Sequence, residues 1–356
     1  MNRLFKLSKS LLPRISNTEM IALRSGTVSI DRNIMANTVG VFPFDKLENK
    51  IDQDYLNNEV KELYQKTGDK AVFQNGSFNP NLKSLIQKTK AFSYIIDEKY
   101  DGYNFNVETQ SRILVKLASY NPSLGVTVMV PNSLGPGELL QHYGTETQKN
   151  NYLPKLANGT FIPCFGLTGP YNGSDVAGPM DAGIVVKKGD KIFIDAVLNK
   201  RYITLAPIAN LMGVAIKVSD PDNLLNQGKE GITLALLEKE KYENLKNSSF
   251  HNPMNAGFPN GTLKGNVLIE LEDVIGGPEK IGHGWKMLME CLAAGRGVSL
   301  PASSLGACLA TTYGITGYAN IRKQFNISIA KMEGVYEKLY ESMYNTMIID
   351  SKSELK

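Results

Sequence analysis

The spacing of apolar residues changes near Phe161 and changes back near Gly284, and this double change limits the folds open to the chain. Before Phe161 apolar residues recur near helical spacing, as in residues 107–117, which follow Asn106 as a cap. Between the two points, short apolar runs such as 184–186 alternate with Gly, Pro and Asp clusters, which is typical of strands. The sequence therefore predicts helices, then strands, then helices.

This order predicts an α+β chain of several domains. We expect an N-terminal helical domain over residues 1–160, with candidate helices at 54–64 and 82–96. A middle antiparallel β-barrel or sandwich domain follows over residues 161–276, and a C-terminal helical bundle over residues 277–356. Two or three helices are too few to close a bundle, so we expect this last domain to be incomplete.

Residues 164–175, Cys-Phe-Gly-Leu-Thr-Gly-Pro-Tyr-Asn-Gly-Ser-Asp, make up the most distinctive polar turn, with a shorter echo at residues 201–204. Two hydroxyls and free backbone N–H groups in a short span suit a phosphate group or a flat polar ring. From spacing alone, a β-turn on a surface loop is the more common explanation of such a stretch.

The net charge of +4 comes from 39 basic and 35 acidic residues, and four of the basic residues precede the first acidic one. The rest of the chain is therefore neutral, which argues against nucleic-acid binding. The basic start, residues 1–16, suits a short amphipathic helix at an anionic lipid surface, although a frayed tail explains it equally well.

Cysteines and histidines predict neither disulfides nor a metal site. Cys164, Cys291 and Cys308 are odd in number and lie in apolar contexts, so we expect buried free thiols in a reducing, cytoplasmic compartment. The three histidines show no metal-ligand spacing. GxGxxG, P-loop and nucleophile-elbow motifs are absent from the sequence, and no apolar run has the length of a membrane-spanning helix.

Several motifs in a fixed order resemble the acyl-CoA dehydrogenase flavoproteins, and the resemblance covers roughly residues 10–350. The motifs at residues 199–207 and 276–285 are most similar to the bacterial subfamily that oxidises fatty acids. In chain order the motifs lie at residues 133–135, 143–149, 152–159, 164–175, 199–207 and 276–285.

The resemblance implies FAD as cofactor, acyl-CoA as substrate, an electron-transfer flavoprotein as electron acceptor, and a homo-oligomer. It implies a set of binding residues: Phe165, Leu167 and Thr168 along the flavin, Gly173 and Ser174 at the phosphates of flavin and CoA, Tyr202 stacked on the ring, Thr204 near the flavin N5, Arg296 on the acyl-CoA, and Arg322 and Phe325 reaching the flavin of a neighbouring subunit.

The sequence departs from the family pattern at several of these places. The usual Glu after Thr168 is Gly169, Tyr171-Asn172 replaces small residues, and the acidic residue three positions before Arg296 is Ala293. The His-Gln pair of the following helix reads Met332-Glu333.

The family's catalytic base has no counterpart here. In the family, a glutamate takes the α-proton of the thioester while the β-hydride goes to the flavin, and a trans-2-enoyl-CoA forms. Most members carry that glutamate beyond the point where this chain stops, and a minority carry it immediately before the helix arginine, where this chain has Gly295. Glu290 is five residues earlier and points off that face. No catalytic residue is therefore identified.

The sequence thus predicts a truncated FAD-dependent acyl-CoA dehydrogenase of fatty-acid β-oxidation. Three alternatives stay open: an active enzyme completed by a separate polypeptide, a non-catalytic flavin or acyl-CoA binding protein, and an acyl-CoA oxidase.

Overall fold

The computed structural model describes residues 15–25, 52–68, 72–74, 77–133, 135–225 and 229–353. Its α-helices are α1 (Asn17–Ser25), α2 (Gln53–Asn57), α3 (Glu59–Thr67), α4 (Pro80–Thr89), α5 (Val107–Tyr120), α6 (Pro122–Met129), α7 (Pro136–Tyr143), α8 (Glu146–Ala157), α9 (Gly284–Ala294), α10 (Leu300–Ile321) and α11 (Glu333–Ser353). Its strands are β1 (Phe73–Gln74), β2 (Ser77–Phe78), β3 (Pro163–Gly166), β4 (Ala182–Lys188), β5 (Lys191–Thr204), β6 (Leu211–Ser219), β7 (Gly231–Glu238), β8 (Asn260–Glu270), β9 (Lys323–Gln324) and β10 (Ile327–Ser328). This order confirms the predicted α+β class. The predicted domain limits stay a prediction.

Several helices before β3, including α5 and α8, begin at side-chain caps. The Asn106 side chain accepts a hydrogen bond from the Thr109 N–H at the start of α5, as predicted. Thr145 and Gln148 form a reciprocal capping box at the start of α8. These caps satisfy N–H groups that have no partner within their own helix.

The helix predicted over residues 82–96 is too long, because α4 ends at Thr89. Lys90 has a φ of +50°, and the chain then turns through residues 91–96. The buried Asn132 amide holds this turn: it accepts from the Tyr94 N–H at 2.8 Å and donates to the Ala91 carbonyl at 2.7 Å. A contact over about forty residues in sequence therefore ends the helix.

The six strands β3 to β8 form one sheet in the order β3-β6-β4-β5-β8, with β7 on the other edge of β6. The predicted hairpin joins β4 to β5 at Gly189, which has a φ of +62°. The expectation of a purely antiparallel sheet is wrong for two pairs, because β3 and β4 both run parallel to β6. They lie one after the other along the same edge of β6, and long connections make this parallel pairing possible.

The sheet and the helices share a continuous apolar interior. Cys164, Ile194 and Val214 are fully buried in the sheet core, and Leu288 and Cys291 of α9 pack with residues of α7, α8 and β6. Burial raises the pKa of the Cys164 thiol well above its usual range. The expectation of buried free thiols holds for Cys164 and Cys291, whereas Cys308 is half-buried. Its position on α10, a helix with much exposed surface, accounts for the difference.

The C-terminal helices pack on the N-terminal helices through α5. α10 crosses α5 where Gly306 lies against Val115, Ala118 and Ser119. Between α9 and α10 the chain makes a π-helical turn, Gly295–Ser299, and α11 packs on α10.

None of the helices in the described ranges is both long enough and apolar enough to cross a membrane. The basic start, residues 1–14, lies outside the described residues, as does the remaining segment up to residue 51 beyond α1.

Candidate functional site

The loop after β3 carries the distinctive turn, and the Asn172 side chain holds it from the inside. Asn172 is only 2% exposed. Its Oδ1 accepts from the Gly169 N–H at 2.7 Å, and its Nδ2 donates to the carbonyls of Leu167 at 3.2 Å and Val176 at 3.4 Å. These bonds tie both ends of the turn to one buried amide.

The outer side of the same loop is polar. Gly173 and Ser174 are exposed, and Leu167 and Thr168 are half-buried. Within the described part of the chain, the hydroxyls of Thr168 and Ser174 have no hydrogen-bond partner, which leaves both free to bind a ligand. Phe165, by contrast, packs inward on Gly213 of the neighbouring strand, where a Cβ would lie 2.5 Å from the Phe165 ring.

A bulge in β5 brings the second motif against the loop. The register between β5 and β8 shifts between Lys200 and Ile203, and Tyr202 adopts a φ of +58°. The Arg201 N–H donates to the Thr168 carbonyl at 3.0 Å, so the two motif segments are joined directly. Tyr202 is half exposed. A left-handed backbone conformation is strained at a residue with a bulky side chain, and residues strained in this way cluster at functional sites.

A buried ion pair supports both motif segments from below. The Lys200 Nζ, on a side chain with no exposed surface, lies 3.2 Å from Asp181 Oδ2 and 3.4 Å from the Leu167 carbonyl. Burial lowers the pKa of Lys200, and the Asp181 carboxylate opposes that shift. Neither residue was predicted from the sequence; the available signal was a charged residue, Lys200, at an inward position of an otherwise alternating strand.

Asn260, also missed from the sequence, has a buried acceptor without a partner. It is opposite Thr204 in the β5–β8 register, and its Nδ2 donates to the Tyr202 carbonyl at 3.4 Å. Its Oδ1 has no partner among the described residues, and the Thr204 hydroxyl is likewise unpaired there. Buried polar atoms are nearly always hydrogen-bonded in folded proteins, so an unpaired acceptor beside the motif indicates a ligand position.

The remaining predicted residues lie on the C-terminal helices. Arg322 and Phe325 are exposed at the hairpin between α10 and α11, and no described hydrogen bond or ring contact joins them to the motif segments. The backbone of Arg296 lies in the π-helical turn, while its side chain falls outside the described residues. The structure therefore brings together Leu167, Thr168 and Tyr202, with Thr204 at the same strand end.

A cavity of about 290 Å³ lies between α5, α7 and the π-helical turn, and Gly295 lines it. Glu138 and His142 line the same cavity, and the His142 Nε2 is 3.1 Å from Glu138 Oε1. Ser299, which is 4% exposed, also lines it. Burial and the nearby charges of Glu138 and Glu290 raise the pKa of Cys291, on α9, to about 12. The lining of the cavity thus includes both the Glu138 carboxylate and Gly295.

The residues at the loop and the bulge fit a flavin. Unpaired hydroxyls, an orphaned amide oxygen and a half-exposed aromatic ring can hold a flat heterocycle with polar edges and a phosphate. For a metal ion, the described ranges contain no group of three His, Cys, Asp or Glu side chains that could hold it.

Comparison with known proteins gives matches along the chain. A family model described as "Acyl-CoA dehydrogenase, N-terminal domain" matches residues 52–160. An acyl-CoA dehydrogenase of Bacillus subtilis (strain 168) is 27% identical over 305 residues, which is 82% of this chain and 72% of that protein. Protein HemX of Proteus mirabilis is 42% identical over 94 residues, which is 26% of this chain and 55% of that protein.

Among solved structures, the butyryl-CoA dehydrogenase of Megasphaera elsdenii aligns with a TM-score of 0.71 at 22% identity, over 84% of this chain and 76% of that chain. This likeness shows the fold. The chain spans about half the length of some curated relatives, namely 55%, 48% and 45% of three of them.

Proposed function

Because the chain belongs to the acyl-CoA dehydrogenase family, we propose that it binds FAD at the loop and bulge described above and takes an acyl-CoA thioester as its substrate. The observation that supports this most is the bond from the Arg201 N–H to the Thr168 carbonyl, which joins the two motif segments that the resemblance assigns to the flavin. FAD, when bound, supplies the hydride acceptor.

The residues around the site then have separate tasks. The Thr168 and Thr204 hydroxyls hydrogen-bond the edge of the ring, the Tyr202 ring packs against it, and the exposed turn at Gly173 and Ser174 takes phosphate oxygens. Arg296, Arg322 and Phe325 are assigned to acyl-CoA and to a neighbouring subunit's flavin by the resemblance. Nothing in the chain's own geometry adds to those three assignments.

In this proposal the acyl group extends toward the cavity that Gly295 lines. The matched proteins bear names that span butyryl, very long-chain and aryl groups. Fatty-acid β-oxidation is the role that we propose from the motifs at residues 199–207 and 276–285. An electron-transfer flavoprotein is the electron acceptor that fits this role.

We further propose that the chain by itself turns over slowly, because a glycine occupies position 295 where a minority of the family place the base. Losing a general base costs on the order of 10²–10⁴ in rate. The chain's own residues would still bind the thioester and hold it beside the flavin.

An anaerobic visible spectrum of the purified, FAD-loaded chain tests the proposal, recorded before and after adding palmitoyl-CoA. We expect a flavin spectrum that shifts on binding and bleaches only slowly. Rapid bleaching would show that the chain contains an effective base and would contradict slow turnover. A chain that cannot be loaded with FAD would contradict the proposed cofactor site itself. Reoxidation by oxygen after bleaching would favour the oxidase alternative.

A further inference from the structure

We propose that Asn172 is a positioning residue for the cofactor and that position 169 is glycine in order to make room for it. The proposal rests on the proposed function, since the ligand concerned is FAD. It concerns the place where the sequence departs from the family pattern, at Gly169 and at Tyr171-Asn172.

The burial of Asn172 contrasts with that of its neighbours. Tyr171 is 81% exposed and Gly173 is exposed, whereas Asn172 between them is 2% exposed. Its amide makes three hydrogen bonds, and all of them go to the backbone of residues 167–176. A buried side chain whose donor and acceptor atoms all hydrogen-bond the backbone of its own loop fixes the conformation of that loop.

At position 169, glycine leaves space for the Asn172 side chain, and no left-handed backbone conformation is involved. A Cβ at this position would lie 2.8 Å from Asn172 Oδ1 and 3.3 Å from the Asn199 carbonyl oxygen. The first distance is shorter than real Cβ contacts, so any other residue would push the Asn172 amide away from the Gly169 N–H. Gly169 and Asn172 therefore form a matched pair.

This pair fixes both sides of Thr168, the residue whose hydroxyl is unpaired. The Leu167 carbonyl accepts from Asn172 Nδ2 and Lys200 Nζ, and the Gly169 N–H donates to Asn172 Oδ1. The Thr168 carbonyl itself accepts from Arg201. Thr168 is thus held before a ligand arrives, and preorganisation of this kind improves affinity because less ordering is left for the binding step.

The test measures FAD affinity for Asn172→Ala, Gly169→Ala and the double variant, by quenching of flavin fluorescence. We expect each single variant to weaken FAD binding about tenfold. The double variant should bind about as weakly as either single one, because each substitution breaks the same contact. Asn172→Asp keeps the acceptor and loses the donor, and it provides a second probe should Asn172→Ala fail to fold.

Asn132→Ala is the matched control. Asn132 is also buried, at 3% exposure, and also makes three hydrogen bonds to backbone, but in the helical part of the chain. It should lower the unfolding midpoint as much as Asn172→Ala does and leave FAD affinity unchanged. Normal FAD affinity in folded Asn172→Ala, or additive losses in the double variant, would overturn the positioning role alone. Failure of the unmodified chain to bind FAD would overturn the proposed function as well.

Discussion

The Lys200 side chain is fully buried, and the neighbouring Asp181 carboxylate balances its positive charge. Removing one member of a buried ion pair leaves the other charge unpaired, which costs about 3–5 kcal/mol. We therefore expect Lys200→Met to lower the free energy of unfolding in urea by about 3 kcal/mol. Lys187→Met, at an exposed position on β4, is the control and should change it by less than about 0.5 kcal/mol.

The same substitution gives a pH dependence with a definite sign. Because the folded-state pKa of Lys200 is lowered from 10.5, the unfolded chain binds more protons at that residue in the window just below pH 10.5. The additional stability that accompanies deprotonation of Lys200 is therefore fully present above its unfolded pKa and is lost as the pH falls through the folded one. The stability difference between the unmodified chain and Lys200→Met should widen as the pH rises within that window. A difference that stays constant would contradict the buried, shifted amine.

Substitution of Thr204 can distinguish a role in binding FAD from a role in stabilising the fold. Its hydroxyl has no partner among the described residues, so Thr204→Val should leave the free energy of unfolding of the FAD-free chain nearly unchanged. If the hydroxyl bonds the flavin, the substitution should weaken FAD binding by up to about tenfold, the equivalent of one hydrogen bond. Calorimetric titration with FAD measures this. Unchanged affinity together with unchanged stability would remove Thr204 from the site.

At the scale of elements, the crossing of α10 over α5 depends on Gly306. A Cβ there would lie 2.7 Å from the Val115 carbonyl oxygen and 2.9 Å from the Ala118 Cβ. Because backbone atoms cannot move aside cheaply, we expect Gly306→Ala to destabilise the fold by about 1–3 kcal/mol. Gly314 is in the same helix with no atom near its Cβ position. Gly314→Ala should therefore stabilise by about 0.5–1 kcal/mol, since only helix propensity changes. Thermal unfolding of the two variants should shift in opposite directions.

The π-helical turn offers a gain-of-function experiment. Gly295 lines a cavity of about 290 Å³, which gives a longer side chain room to extend. We expect Gly295→Glu to provide the missing base and to speed the bleaching of bound flavin by palmitoyl-CoA by at least about 10²-fold. Gly295→Gln has the same shape without the basic carboxylate and should remain slow. Equal rates for the two variants would show that the carboxylate is not what limits the reaction.

Local signals predicted those elements whose ends depend on neighbouring residues. The cap at Asn106 and the turn at Gly189 gave the start of α5 and the β4–β5 hairpin. The end of α4 at Thr89 could not be predicted, because it depends on Asn132, far along the chain. The parallel pairing of β3 and β4 with β6 and the burial of Lys200 depend in the same way on contacts between distant segments.

The residues of the candidate site likewise fall into those that a local motif indicates and those that depend on contacts between distant segments. Thr168, Ser174 and Tyr202 are assigned through the family resemblance of their motifs, and their roles stay predictions. The inward orientation of Asn172 and the unpaired oxygen of Asn260 only become apparent once the loop is folded against β5 and β8.

At the scale of the whole molecule, α10 and α11 contact each other through polar groups and expose apolar groups on their other sides. Their facing sides are joined by hydroxyl pairs, with Thr312 3.0 Å from both Ser342 and Thr346. Their other sides expose large apolar groups: Tyr313, Tyr318, Ile321, Tyr336, Tyr340, Met343, Tyr344 and Met347. Large exposed apolar side chains concentrated on two neighbouring helices are unusual for a monomer and indicate an interaction site.

Because the family resemblance implies a homo-oligomer, we propose that a second copy of the chain covers this face. We therefore predict an association that two introduced charges disrupt. The unmodified chain should sediment as a dimer or larger species at micromolar concentration. Met343→Lys combined with Met347→Lys places two cations on the face and should shift the distribution to monomer, because like charges across a symmetric interface repel each other. Ile184→Lys with Val197→Lys, at exposed positions of β4 and β5, adds the same charge elsewhere and should leave the association intact. A monomeric unmodified chain, or equal dissociation in both double variants, would contradict the interface on α10 and α11.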